Sequence, residues 1–221
     1  MKMNLNDLEI RVLACLMEKE LTTPENYPLS LNSLVSACNQ KSNRDPVLNL
    51  GEAEVLRVLE ALGSRGLARL TTTGGRVAKY CHSATGKLGL GTEARAILAE
   101  LMLRGPQTVG ELRTRGERMA PFSDLAAVEQ VLAELQQEAP PFVVRLPRRA
   151  GRKDVRYAQV FGGVPEFDPE EEVAASETEK PVERRAPAGD RVVRLEAEVG
   201  TLRGEIGELR REVEELLAQF A

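Results

Sequence analysis

Two blocks of this chain recur in the same order. Val12-Leu-Ala-Cys-Leu-Met17 is echoed by Ile97-Leu-Ala-Glu-Leu-Met102, and Val55-Leu-Arg-Val-Leu-Glu-Ala-Leu62 by Val128-Glu-Gln-Val-Leu-Ala-Glu-Leu135. An internal repeat of this kind restricts the chain to an architecture that uses one supersecondary unit twice. The question becomes what that unit is.

In the first copy, Asn6 with Glu9 three residues on is a capping-box pattern. Apolar residues at helical spacing then predict a helix over about 7–19. Pro24 and Pro28 stop it, and Ser30 can cap a second helix to about Asn39, with Leu31, Leu34, Val35 and Cys38 on one face. Asn39 to Arg44 is a run of six polar residues. Asn49 with Glu52 repeats the capping signal for a third helix, carried by Val55, Leu56, Leu59 and Leu62 and ending near Gly63 or Gly66. Two strands, 67–73 and 76–82, flank a Gly74-Gly75 turn. Three helices and a hairpin are the order of a winged helix. The second copy repeats it: a capping box at Thr108 and Glu111 for a helix to about Met119, a cap at Asp124 for a helix to about Glu138, and strands near 142–146 and 155–161.

Beyond the repeat the composition changes. Residues 165–190 carry nine acidic groups, three basic ones and four prolines, a mobile acidic linker by composition. Val192, Leu195, Val199, Leu202, Ile206, Leu209, Val213 and Leu216 then alternate three and four apart, a heptad seam with β-branched a positions and Leu at d that favours a parallel dimer. Arg191 with Glu196, Glu198 with Arg203, and Glu205 with Arg210 make complementary g-to-e pairs. Folding of this helix back on its own body is the alternative, and Gly200, Gly204 and Gly207 weaken the helix by about 1 kcal/mol each. The division expected is 1–83 and 92–164 as two domains, 84–91 a short linker, 165–190 the acidic linker and 191–221 the coiled coil. The fold class is mainly α with small β-hairpins (α+β): two tandem winged-helix domains plus a C-terminal coiled-coil helix.

Charge is unevenly placed. Residues 1–89 and 90–164 each carry 11 basic and 9 acidic groups, while 165–221 carry 8 and 16. Cys15, Cys38 and Cys81 lack any C-x-x-C spacing and read as buried apolar residues of a reducing compartment. His82 is the single histidine, and nothing beside it completes a metal site, so no metal or cofactor is expected. Asp7 and Glu9 in the first apolar turn argue against a signal peptide, and no uncharged run approaches a membrane span. A cytoplasmic chain with no membrane association is expected. No phosphate loop, nucleophile elbow or histidine-containing catalytic set is present, so a non-enzymatic role is expected.

Polyanion contact is the chemistry the charges suggest. Arg145, Arg148, Arg149, Arg152, Lys153 and Arg156 fall within twelve residues of the second hairpin, opposed only by Asp154. A cationic hairpin suits phosphate contact without specifying sequence; a solubilising loop would look the same. In the first copy the candidates are Gln40, Lys41, Asn43 and Arg44, whose side chains can reach base edges, with Arg57 on the third helix and Arg76 and Lys79 in the hairpin. The 40–44 stretch also fits an ordered structural loop. Glu52 and Glu54, and in the second copy Glu129, Glu134 and Glu138, suit a major groove poorly.

Thr23-Pro-Glu-Asn-Tyr-Pro-Leu-Ser-Leu-Asn-Ser-Leu34, the following Cys38-Asn-Gln-Lys-Ser-Asn-Arg-Asp-Pro46, and Leu101-Met-Leu-Arg-Gly-Pro-Gln-Thr-Val-Gly-Glu-Leu-Arg113 resemble the YceH family of uncharacterised bacterial proteins. The resemblance spans about 5–162 and implies a tandem winged-helix protein of the bacterial cytoplasm. It implies no activity, cofactor or binding residue. Two functions stay open: a DNA-associated protein, a transcriptional regulator among the roles of this class, bound to duplex DNA and dimerised by its coiled coil; or a scaffold whose winged helices dock a protein partner without touching DNA.

Overall fold

A computed structural model describes residues 3–71, 77–148 and 154–164. All of them fall in one compact unit. The chain is a mainly helical α+β protein whose first and second parts follow the same path. The first part runs α1 (Asp7–Thr22), a 3-10 turn (Pro24–Asn26), β1 (Leu29–Ser30), α2 (Leu31–Cys38), α3 (Glu52–Ser64), β2 (Ala68–Thr71) and β3 (Lys79–His82). After a short α4 (Ala84–Leu88) come α5 (Thr92–Arg104), β4 (Gln107–Thr108), α6 (Val109–Gly116), α7 (Leu125–Gln137), β5 (Val143–Arg145) and β6 (Arg156–Gln159).

The two sheets have one topology, β1-β3-β2 and β4-β6-β5, all antiparallel. Leu29 and Ser30 face Tyr80 and Lys79, just as Gln107 and Thr108 face Tyr157 and Arg156. The last residue of each short strand then caps a helix: Ser33 N–H donates to Ser30 Oγ, and Glu111 N–H to Thr108 Oγ1. These two-residue strands escape sequence reading, since their partners lie about fifty residues downstream. Local caps form where the sequence marks them. Asn6 and Glu9 exchange bonds of 2.9 Å, Thr108 and Glu111 exchange bonds of 2.9 and 3.3 Å, and Asp124 Oδ1 accepts from Ala127 N–H at 2.8 Å.

Three local expectations need correction. The third helix starts at Glu52, not at a cap on Asn49, because the Asn39 side chain holds Leu50 extended by bonding both its N–H (2.7 Å) and its C=O (2.8 Å). Glu54 then accepts from Gly51 N–H at 2.9 Å. Helix α6 ends at Gly116, short of Met119, where the Phe122 ring sits against the glycine. Residues Ala84–Leu88 of the Gly-rich connection are helical.

The deepest burial is shared between the copies. Every residue from Glu9 to Glu18 in α1 and from Ala96 to Leu103 in α5 is buried, which marks helices enclosed on all sides rather than amphipathic surface helices. The two pack against each other, and one hydrophobic cluster joins both parts, with Leu13, Leu16, Ile97, Leu98 and Leu101 at its centre. Backbone bonds cross the same seam: Leu5 N–H to Phe161 O at 2.7 Å and Asp45 N–H to Leu103 O at 2.9 Å.

Candidate nucleic-acid interface

The polar run after α2 turns inward. Arg44 is a correction to the contact surface expected at 40–44, since its side chain is fully buried. Its Nε donates to Ala37 O (3.0 Å), Nη1 to Glu18 Oε1 (3.1 Å) and Asn43 O (2.8 Å), and Nη2 to Glu18 Oε2 (2.5 Å) and Gln40 Oε1 (2.9 Å). Asn43 takes a left-handed φ of 57°, which asparagine tolerates better than most residues. Its Oδ1 accepts from Arg104 Nη1 at 2.7 Å, tying the loop to α5. Arg11 adds bonds to Cys38 O and Pro46 O. Of the four candidates here only Lys41 is exposed without a side-chain bond.

Arg44 belongs to a buried charge network that spans both parts. Arg118, just past α6, reaches Glu18 Oε1 and Glu100 Oε1, each at 2.7 Å. Burial opposes ionisation of Glu18, but Arg44 and Arg118 outweigh it and hold the carboxyl below its ordinary range. Glu100 goes the other way: burial dominates over the attraction of Arg118 and Arg104 and raises it, and its Oε2 is buried without a hydrogen bond. Sequence reasoning missed Glu18, Glu100 and Arg118. The available signal was an acid inside an apolar helical run, Leu16-Met-Glu18 and Leu98-Ala-Glu-Leu101, which demands a cation wherever the helix is buried.

A second cluster lies where the C-terminal end of α1 meets β3 and the start of α5. Ala84 N–H donates to His82 Nδ1 at 3.2 Å, leaving the proton on Nε2, which donates to Glu20 Oε2 at 2.9 Å. Arg95 also bonds Glu20. Burial lowers the His82 pKa, and it outweighs the attraction of Glu20. Tyr27 Oη accepts from His82 N–H at 2.7 Å, and burial raises the phenol. Among the described residues no group of three or more His, Cys, Asp or Glu is arranged to hold a metal ion. The three cysteines are free and buried.

The remaining cationic candidates lie at the surface. Arg57 is exposed on α3, its Nε turned to Ala53 O, and Lys79 is half-buried on β3. On the second hairpin Arg145 and Arg148 are exposed and Arg156 is half-buried. None of these three has a salt-bridge partner among the described residues. Arg76, Arg149, Arg152 and Lys153 lie outside the described residues, as do the eight seam positions from Val192 to Leu216. The outer faces of α3 and α7 carry exposed Glu52, Glu54, Glu60, Glu129 and Glu134.

A protein family described as "Protein of unknown function, DUF480" matches residues 5–152, which is α1 through β5. The chain belongs to this family. Its relatives include UPF0502 proteins of Citrifermentans bemidjiense, 63% identical over 209 residues and 92% of each chain, and of Geotalea uraniireducens, 59% identical over 203 residues and 92% of each. Another from Geobacter sulfurreducens is 54% identical over 202 residues and 91% of each. The resemblance to an uncharacterised bacterial family is thereby borne out. In this DUF480 chain the marked stretch Thr23–Pro46 supplies internal clamps: Tyr27 to β3, Asn39 to Leu50, Asn43 to α5 and Arg44 to α1. Among the described residues no helix is long and apolar enough to cross a membrane.

Proposed function

We propose that this is a non-enzymatic, DNA-associated protein of the bacterial cytoplasm whose two repeated units are winged helices, with the second hairpin lying along the phosphate backbone of a duplex. What supports the reading is how the arginines sort. Arg11, Arg44, Arg95 and Arg118 are consumed by internal carbonyls and carboxylates. Arg145 and Arg148 stay outward on one hairpin with no salt-bridge partner among the described residues, Arg156 is half-buried within reach of the Glu111 charge, and the sequence between the two strands adds Arg149, Arg152 and Lys153. A cluster of unpaired cations attracts phosphate by counterion release. The acidic faces of α3 and α7 make this contact electrostatic rather than sequence-reading. Self-association through 191–220 as a parallel coiled coil would set two such hairpins on one duplex.

The test is duplex DNA binding across a salt series. Affinity is expected to fall steeply with salt, and a chain with Arg145, Arg148, Arg149, Arg152 and Lys153 changed to Ala is expected to bind weakly with a shallower slope. Equal binding by parent and variant, or none by either at low salt, sinks the proposal. The acidic helix faces favour a second reading, a scaffold that docks a basic protein partner. A partner retained on the chain through nuclease treatment and high salt would select it. Cutting the chain after Asp190 tests self-association: a solution mass that halves supports the coiled coil, and an unchanged dimer refutes it.

A further inference from the structure

The stretch Thr23–Pro46 clamps the fold with its inward side chains, and its outward ones line a pocket. The pocket, about 360 Å³, lies between the C-terminal end of α1, the 3-10 turn and α2. Leu29 and Ala37, both buried, form its floor. The rest of the lining is polar, and among the described residues no carboxylate belongs to it. Glu25 stands outside, accepting from the rim residue Asn26 Nδ2 at 3.0 Å. Asn32 and Ser36 lie one turn apart on α2 and Gln40 continues their stripe just past it. Gln40 Oε1 accepts from Arg44 Nη2 at 2.9 Å, which leaves both Nε2 hydrogens as donors. Asn32 and Ser36 are exposed and make no side-chain hydrogen bond among the described residues.

Charge decides the ligand. The buried network behind the pocket holds three cations, Lys19, Arg44 and Arg118, against two carboxylates, Glu18 and Glu100. Glu18 is held by Arg44 at 2.5 Å and Arg118 at 2.7 Å, while the Lys19 ammonium stands 3.9 Å away, so Lys19 is the cation the network least consumes. Its side chain is 18% exposed and lines the pocket, which makes it the surface outlet of the surplus charge. An oxyanion there accepts a charge-assisted hydrogen bond from Lys19 and meets no acid on the walls. We infer that the pocket is a phosphate-binding site: Lys19 Nζ, Gln40 Nε2 and Ser36 Oγ donate to the phosphate oxygens, and the amides of Asn26 and Asn32 meet hydroxyls of the group that carries the phosphate. A free sugar phosphate and the backbone of a nucleic acid share that chemistry. The site is separate from the hairpin contact proposed above, to which none of its residues but Gln40 was assigned.

The test is a titration of the full chain followed through its amide NMR signals, with inorganic phosphate, ribose phosphate, ribose and a short DNA duplex as probes. Ribose phosphate is expected to move the signals of Ser33, Ser36 and the Gln40 side chain saturably, inorganic phosphate to do so more weakly, and ribose not at all. Lys19→Gln is expected to weaken ribose phosphate binding about tenfold, and Lys19→Arg, which keeps the charge, to bind within a few-fold of the parent. Gln40→Glu keeps the acceptor for Arg44, and with it the fold, but sets a negative charge on the wall; binding is expected to be lost. Displacement of the duplex from the same signals by ribose phosphate identifies the nucleic-acid backbone as the source, and binding of the small probes alone identifies a free ligand; both uphold the site. Ribose matching ribose phosphate, shifts that Lys19→Gln leaves unchanged, or no shift with any probe overturns it. Alanine variants of the second hairpin are expected to leave the small-probe shifts unchanged, so failure here and failure of the hairpin contact are read separately.

Discussion

Replacing Arg44 by Met would remove a fully buried guanidinium while keeping most of its aliphatic length. The side chain donates five hydrogen bonds, two to the Glu18 carboxylate, one to Ala37 O at the end of α2 and two to the loop that follows. Breaking a buried pair by deleting one partner costs about 3–5 kcal/mol, because the surviving charge is left without compensation. Arg118 still reaches Glu18 at 2.7 Å, so the cost falls at the low end, about 3 kcal/mol. For a body of this size that is about 6–12 °C in Tm. Urea denaturation should show the midpoint shift with an unchanged m-value. Glu18→Gln in the same chain should recover about 1–3 kcal/mol relative to additivity, since both charges then go together. The pH dependence follows from the lowered Glu18 carboxyl: its stabilisation is present above the unfolded value and is lost as pH falls through the folded one. The penalty of Arg44→Met should therefore shrink in acid. A loss under about 1 kcal/mol, or strict additivity of the pair, would refute the assignment of Arg44 as a buried structural cation.

Three further outcomes follow from contacts elsewhere. The His82 pKa is depressed, so as pH falls below about 6.5 the unfolded chain takes up a proton that the folded chain resists; stability should drop from pH ~7.5 to pH ~5.5, and His82→Gln should flatten that slope in urea midpoints. Gly116→Ala, which in an open helix gains stability, should instead cost about 1–2 kcal/mol, since its Cβ would lie 3.0 Å from Phe122 Cε2; a neutral or stabilised variant would show that the ring gives way freely. Asn39→Ala should cost about 1–2 kcal/mol by releasing both polar groups of Leu50; unchanged amide exchange at the start of α3 would count against the clamp.

Local chemistry was legible in the sequence, and remote chemistry was not. Asn6 with Glu9, Ser30, Thr108 with Glu111, and Asp124 each cap a helix within three residues of themselves, so residue type and spacing suffice. The duplicated path was legible for the same reason, being carried by short apolar runs. Arg44 was misplaced because six polar residues in succession look solvated, while the carboxylate that buries the arginine sits 26 residues earlier. The Asn49 cap failed through Asn39, eleven residues before the Leu50 it holds. The seam between copies was invisible in the repeat, because periodicity marks one apolar face per helix and does not say that the opposite face is covered by a homologous helix.

That seam explains why charge is kept in its interior. Leu13, Leu16, Ile97, Leu98 and Leu101 give α1 and α5 ample apolar surface, but such side chains tolerate sliding and rotation at small cost. A guanidinium shared by two carboxylates does not: Arg118 meets both Glu18 and Glu100 at 2.7 Å only at one offset of the helices, and Arg44 fixes the loop end of the same carboxylate. Buried polar groups that specify register in this way add little net stability. The register they set fixes the position of one hairpin relative to the other, so under the proposed DNA contact a duplex touching Arg145, Arg148 and Arg156 would meet the first hairpin at a set displacement. Loosening Glu100 by substitution to Leu should then leave DNA affinity for short duplexes near the parent value, while any gain from longer duplexes that reach both hairpins is lost. Equal length dependence in parent and variant would separate the buried network from DNA contact altogether.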